Sequence, residues 1–463
     1  MKYFHLIYTL LFGVAVLLFF GVGYPHHLHY QEQYQLFLFD SNYVWEIISQ
    51  PGGVADLLGR FCTQFFLFAW AGALIIALLL SAVQLLTLRL FNSQFSILNS
   101  QLFYGLSFVP SFLLWLFLLD ENSLLGGVWA ILLTQLAVWG CLLMPKGWLQ
   151  RIAIIVIIPI LYWMAWGGSH YHRYPTIVPT LLYAAWLSAI ILPFIVRVCH
   201  KWATASSRPV LALASYALVA IVMGCLVWKN SNFKAEKVMQ YDFMASHQQW
   251  NRILETINAE KPNNQIGVTV QNLALAMHGQ LVNRLFDYNQ NGIDGLLPDV
   301  QSDATSPMPT AEAFYQLGMV YVAQRTVFEA QEAILDFQKS ARCYKRLAQT
   351  NLIIGSYEVA RKYLTALQKT LFYRGWANET LPLLGNEEAI AKHPEYGRLR
   401  QCAYNNDFYF SDHVTPEMLE SLYHSNPDNQ LALQYLIAYY MLTGDREGYA
   451  KLMEEVRSKR EEG

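Results

Sequence analysis

The sequence predicts an all-α membrane protein in two parts, a seven-helix transmembrane bundle over 1–229 followed by an extracytoplasmic helical-repeat domain over 230–463. Three observations carry this expectation. The 463 residues are 54% hydrophobic and only 14% charged, which is too apolar for an ordinary soluble domain. Charge is spread unevenly: ten Lys and Arg and six Asp and Glu precede Asn230, against 22 and 28 from there on. The polar part shows recurring helical periodicity and no strand alternation.

Each span follows from the bilayer as solvent. Crossing the hydrocarbon takes about 20 mostly apolar residues, because only a helix satisfies its own backbone over that length. Seven stretches qualify, 4–23, 62–88, 101–119, 124–144, 152–168, 177–197 and 209–228. Lys2 flanks the first as in a signal peptide, but no small-residue cleavage pattern follows Phe20, so it reads as a retained helix. If seven helices alternate, Lys2, Arg89, Lys146, Arg151, Arg197, Lys201 and Arg208 share one side, and only Arg60 and Arg173 sit in the opposite short loops. The excess of positive charge puts the N-terminus in the cytoplasm. After an odd number of crossings the polar half emerges outside, in the periplasm of a cell with two membranes. The bilayer is therefore the first partner, and the near-neutral charge balance argues against a nucleic-acid partner. The six cysteines form no metal spacing and no disulfide framework, and no cofactor can be named.

Three outward loops then hold most ionisable groups of the membrane half. The first, 24–61, contains "YQEQYQLFLFDSNYVWEII" and "SQPGGVADLLGRF", which predict two interfacial amphipathic helices split by Pro51-Gly52-Gly53. The second is the "DENS" turn from Asp120, and the third is "GGSHYHRYP". Glu32, Asp40, Asp120, Glu121, His170, His172 and Arg173 can thus converge on one membrane surface. Acids and histidines there could take a proton from an acceptor, and Arg173 could hold a phosphate. The plain alternative is that these groups mark the waterline. His26, His27 and His29 fit that alternative best, since no acid at helical spacing completes a zinc-like set.

The stretch "YQEQYQLFLFD…PGGVADLLGRFCTQFF", together with the helical C-terminal half, resembles an uncharacterised family of bacterial polytopic membrane proteins. In plan the membrane half is also similar to glycosyltransferases of the GT-C class, which carry a catalytic acid near the start of a first outer loop made of two juxtamembrane helices. That resemblance implies a polyprenyl-linked sugar donor. It makes Glu32 a general base or a metal ligand, Asp120 or Glu121 a supporting acid and Arg173 the phosphate partner; Asp40, His170 and His172, on the same surface, are the further candidates for binding substrate. "QEQ" departs from the acid pair usual in that class.

In the polar half, Leu317, Gly318, Tyr321 and Ala330, then Ala348, Gly355, Tyr357, Ala360 and Tyr363, stand at spacings that resemble tetratricopeptide repeats. Such stacks present a concave face to a peptide, a partner protein or a glycan. Two functions compete. A GT-C-like transferase at the periplasmic face requires Glu32 within about 10 Å of Asp120 or Glu121, so that both serve one substrate unscreened. A non-enzymatic, membrane-anchored repeat scaffold for envelope assembly or secretion partners leaves Glu32 in open water. A transporter is disfavoured, because the spans almost lack ionisable residues.

Overall fold

The computed structural model describes residues 4–33, 35–94, 101–145, 147–153, 155–156, 177–200, 209–298, 307–334, 338–404 and 415–462. Every regular element among them is helical, and one isolated bridge joins Asn291 to Ile293. The chain divides into two units, Met1–Glu236 and Lys237–Gly463.

In unit 1, α1 (Phe4–Leu18) ends in a π-helical turn, Phe19–Gly23. The segment that follows holds α2 (Pro25–Glu32), α3 (Ser41–Ile48) and α4 (Gly53–Thr63). It is followed by α5 (Ala69–Gln94), α6 (Val109–Phe117), α7 (Gly126–Leu143), α8 (Ile177–His200) and α9 (Pro209–Asn230). Among the described residues, four segments are long and apolar enough to cross a membrane: His5–Gly23, Ala69–Phe91, Gly126–Leu143 and Leu213–Asn230. The chain is thus built for membrane association. The expected spans at 101–119 and 177–197 contain shorter apolar helices, Gly105–Phe117 and Thr180–Ala189. The former starts as the 3-10 turn Gln101–Phe108, whose tighter winding gives way to α-helix just before Pro110. The expected span at 152–168 lies largely outside the described residues. The 62–88 expectation is corrected at its start, because the 3-10 turn Gln64–Leu67 and an extended Phe68 separate α4 from α5.

The predicted pair of interfacial helices is also modified. Gly52, at φ +75°, separates α3 from α4 as the Pro-Gly-Gly sequence implies. The first piece, however, leaves the helix between Glu32 and Ser41, since Asp40 starts a new helix instead of continuing the old one.

Packing in unit 1 joins α1 to α5, α5 to α6 and α7, α6 to α8, and α4 to α7. Phe12 stands edge-on to Phe108, Phe112 and Trp115 at 5.4, 5.1 and 5.9 Å, a favoured geometry for aromatic rings. Gly59 and Gly126 let α4 and α7 touch backbone to backbone, since a Cβ at Gly59 would lie 2.5 Å from the Gly126 nitrogen. Neutral polar side chains tie the long helices together. Thr9 donates to Gln84 at 2.7 Å, Gln84 to Ser107 at 2.9 Å, and Gln135 to Thr87 at 2.9 Å, all buried.

Unit 2 is a series of helical hairpins. α10 (Phe233–Ser246) leads into α11 (Trp250–Glu260) and α12 (Gln265–Met277), then the short α13 (Leu281–Arg284). α14 (Pro307–Leu317) pairs with α15 (Val320–Ala333), and α16 (Ala341–Ile353) with α17 (Tyr357–Gln368). α18 (Arg374–Thr380), α19 (Glu387–Lys392) and α20 (Pro394–Cys402) follow, then α21 (Thr415–Ser425), α22 (Gln430–Thr443) and α23 (Arg446–Glu462). Leu317, Ala330, Ala348 and Ala360 are buried between hairpin helices, whereas Tyr321 is 45% exposed and takes no such packing role.

Two hairpin turns need a left-handed residue. Gly318 sits at φ +96° and Gly355 at φ +85°; a Cβ at Gly318 would meet the Cys402 carbonyl at 2.7 Å, while one at Gly355 would meet nothing. Gly355→Ala is therefore expected to cost about 1 kcal/mol of unit 2 stability from backbone strain. Gly318→Ala should cost roughly 3 kcal/mol, because overpacking is added. Thermal melts of the two variants in detergent check this, and equal melting would contradict the packing assigned to Gly318.

Candidate functional site

The polar groups of the segment between α1 and α5 are organised by α2, and α2 is held at both ends. Its N-terminus has an unusual cap. Pro25 supplies no amide, and the capping position, Tyr24, makes no side-chain cap bond. The first free amides, His26 and His27, donate instead to the two oxygens of Glu236, at 2.8 Å each. Unsatisfied amides and the positive end of the helix dipole both favour a carboxylate there. Tyr24 lies against the same segment, its hydroxyl accepting from the Asn232 amide at 2.7 Å. Burial, opposed by that bond and aided by Glu236 and Glu121, pushes the Tyr24 phenol up to about 12.

The middle of α2 is seated by His27. Its Nε2 lies 2.9 Å from the Leu118 carbonyl, so this nitrogen carries the proton and donates. Burial drives the imidazole down to about 4, only partly opposed by the carbonyl, so the ring is neutral. His26 and His29 face each other with their Nδ1 atoms 3.4 Å apart.

The far end of α2 reaches the "DENS" turn. The Gln31 amide donates to the carbonyls of Asp120 and Ser123, at 3.3 Å each. Glu32, the next residue, is 5% exposed. In the turn, Asp120 accepts from the Asn122 amide at 2.8 Å, and the Ser123 amide donates to the Asp120 carbonyl at 3.1 Å. Burial raises the Glu121 carboxyl above the usual range; its own backbone amide opposes this and the charge of Asp120 adds to it.

Beyond α2 the strip continues onto α4. The Gln35 amide donates to Asp56 at 3.4 Å, and its carbonyl oxygen accepts from Thr63 at 3.3 Å. Asp56 pairs with Arg60 at 2.7 Å. Arg60 also donates to the Tyr43 hydroxyl at 3.4 Å, and that hydroxyl donates to the Leu36 carbonyl at 2.5 Å. Burial opposes the Arg60 charge, but Asp56 and then Tyr43 overcome it, and the guanidinium holds its proton more firmly than a free arginine.

Of the residues singled out in the sequence, Glu32, Asp120 and Glu121 belong to segments joined through Gln31. Asp40 serves as the cap of α3, accepting from the amides of Asn42 and Tyr43 at 3.1 and 3.2 Å. His170, His172 and Arg173 lie outside the described residues. His27, expected as an anchor at the waterline, is instead buried against the Leu118 carbonyl; sequence reasoning missed Gln31, Gln35, Asp56, Arg60 and Glu236. The Asp56–Arg60 pair had a visible signal, an acid and a base four apart on one helix. Glu236 had none. Among the described residues no three His, Cys, Asp or Glu side chains are grouped to hold a metal ion.

The neutral, buried His27 makes stability depend on acid. An unfolded chain takes up a proton near the ordinary value of 6.5, and the folded one resists until about 4. Stability is complete above that window and falls as pH drops through it, by about 3 kcal/mol in all. His27→Gln, whose amide can still donate to Leu118, should lose this part of the slope. Melts at a series of pH values test it, and an unchanged slope would remove His27 as its source.

Comparison with known proteins follows from this geometry. A model described as a family of unknown function, DUF6057, matches residues 1–170 and 165–461. No curated protein and no solved structure matches the chain. With almost its whole length covered, the chain belongs to the family of unknown function DUF6057.

Proposed function

We propose that the protein is an inner-membrane, seven-span component of the bacterial envelope, with a GT-C-like site at its periplasmic face for a polyprenyl-linked sugar. The observation that carries this reading is the junction at Gln31. A buried acid, Glu32, immediately follows the side chain that clasps the Asp120–Ser123 turn, which supports a site served by acids from distant parts of the chain. In this reading Glu32 takes the proton of an acceptor hydroxyl, and Glu121, its carboxyl raised by burial, is suited to hold one. Arg60 is already paired with Asp56, which leaves the donor phosphate to Arg173, with His170 and His172 beside it. Asp40 contributes by starting α3.

Topology is supported by the Tyr24–Asn232 bond. It brings the ends of α1 and α9 together, so the two helices run in the same direction, as an odd number of crossings requires. The loop charge bias then makes this end the outer one. The hairpins of unit 2, turning at Gly318 and Gly355, support a tetratricopeptide-like periplasmic domain that binds a protein or glycan. If that binding is the whole of the activity, the protein is a membrane-anchored scaffold instead.

Glu32→Gln separates the two. Expressed at wild-type level in its own host, the variant is expected to lose the same envelope glycan as a deletion, with transfer lowered by about 100-fold or more. A wild-type glycan profile, in a host where deletion changes it, would overturn the catalytic reading and leave the scaffold.

A further inference from the structure

We propose that unit 2 carries a binding site for a single oxyanion, a carboxylate or a phosphate, received by Arg346 and Lys345 of α16 and walled by Trp376 of α18. The inference rests on unit 2 alone and is independent of the transferase reading.

The helical period puts Arg342, Lys345, Arg346 and Gln349 along one side of α16. Three guanidinium groups in this region differ in how fully they are used. Arg342 is satisfied: two of its nitrogens meet the two oxygens of Asp242 at 2.5 and 2.7 Å. Arg398 is committed to Gln316, donating to its carbonyl at 3.0 Å and to its side-chain oxygen at 2.7 Å. Arg346 is only half used. Its Nη2 donates to Glu312, and its plane lies 3.7 Å from the centre of the Tyr315 ring. Its Nη1 is buried and has no hydrogen bond. Both oxygens of Glu312 are already engaged, the other accepting from Gln316 at 2.8 Å, and neither reaches Nη1.

Lys345 is the second open donor. Among the described residues its ammonium makes no ion pair, and its close contact is the Trp376 ring, 5.3 Å away. Burial, and next the charge of Arg346, lower its pKa; Glu395 and Glu312 oppose this, and Arg342 adds to it. With Arg342 matched to Asp242 and Arg346 to Glu312, Arg398 is held by the neutral Gln316 and makes no ion pair among the described residues. Glu395 is the one further acid whose charge favours the Lys345 ammonium. A positive excess therefore remains where burial makes charge expensive. A buried donor without a partner costs about 1–3 kcal/mol. An oxyanion supplies what both groups lack, because a guanidinium edge and an ammonium together fit its oxygens.

The test uses the full chain in detergent, with lysine amines carrying isotope-labelled methyl groups and the Lys345 signal assigned through Lys345→Arg. Inorganic phosphate and acetate are the probes. Without either, the Lys345 signal should titrate below the other lysines. A probe that binds should raise its midpoint by about one pH unit in a saturable way. Response to phosphate alone marks a phosphate ligand, response to acetate alone a carboxylate ligand, and either supports the site. Arg346→Gln should weaken the response at least tenfold. If that variant fails to fold, Lys345→Gln decides: phosphate or acetate should raise the melting temperature of the wild type and not of Lys345→Gln. No response of Lys345 to either probe up to about 100 mM, well beyond millimolar affinity, would overturn the proposal. So would a response that survives Arg346→Gln undiminished.

Discussion

Much of unit 1 depends on one carboxylate. Glu236 is 7% exposed, and a buried carboxylate must be surrounded by donors to keep its charge. The backbone amides of His26 and His27 provide them, and they are free to do so because amides in the first turn of a helix have no acceptor within it. The exchange is reciprocal: the helix start gains an acceptor and the acid gains donors. It fixes the position of α2 along its axis. Once that is set, His27 meets the Leu118 carbonyl and Gln31 meets the 118–123 turn one helical turn later. The whole polar strip is registered from a contact spanning about two hundred residues of sequence.

What was legible in the sequence follows from the range of the interactions. The apolar runs are a local property, so α1, α7 and α9 could be placed to within a few residues, whereas α5 runs over 69–94 against an expected 62–88. Gly318 and Gly355 stood out only by their repeat spacing, as small residues for helix packing; the structure uses them as left-handed turns. The break before Ala69 was missed because Gln64–Leu67 is as apolar as the helix it precedes, and hydropathy does not register a change of winding. Asp40 was read as a substrate ligand although an acid just before "SNYVWEII" is also a helix-cap signal; the structure uses it as a cap. The expectation that Glu32, Asp120 and Glu121 share one surface rests on topology alone. The joining of α2 to the Asp120 turn, through an amide at Gln31 and a remote acid at Glu236, carries no periodic trace.

The two units solve the problem of buried polarity differently. Unit 1 places neutral amides and hydroxyls between its long helices, where a full charge would be costly. Unit 2 buries charges and pairs them, as in Arg342 with Asp242, where the acid outweighs the burial that opposes the arginine. Such pairs contribute modestly to net stability, because desolvation offsets much of the attraction. Their effect is on geometry: they fix the side chains of α16 relative to α10 and α14, and leave Lys345 and one edge of Arg346 as the groups not yet committed.

The bonds joining Thr9 to Gln84, Gln84 to Ser107 and Gln135 to Thr87 also bear on how the protein is made. A helix carrying Gln84 or Gln135 enters the bilayer with an amide that lipid cannot solvate. Each such bond is worth only about 1 kcal/mol once formed. Before its partner arrives, however, the exposed amide penalises a lone helix in hydrocarbon. α5 would therefore dwell at the insertion machinery until α1 and the 101–117 segment were beside it, and α7 until α5 was in place. The order of synthesis supplies these partners one after another, so the same side chains that lock the finished bundle would time its assembly.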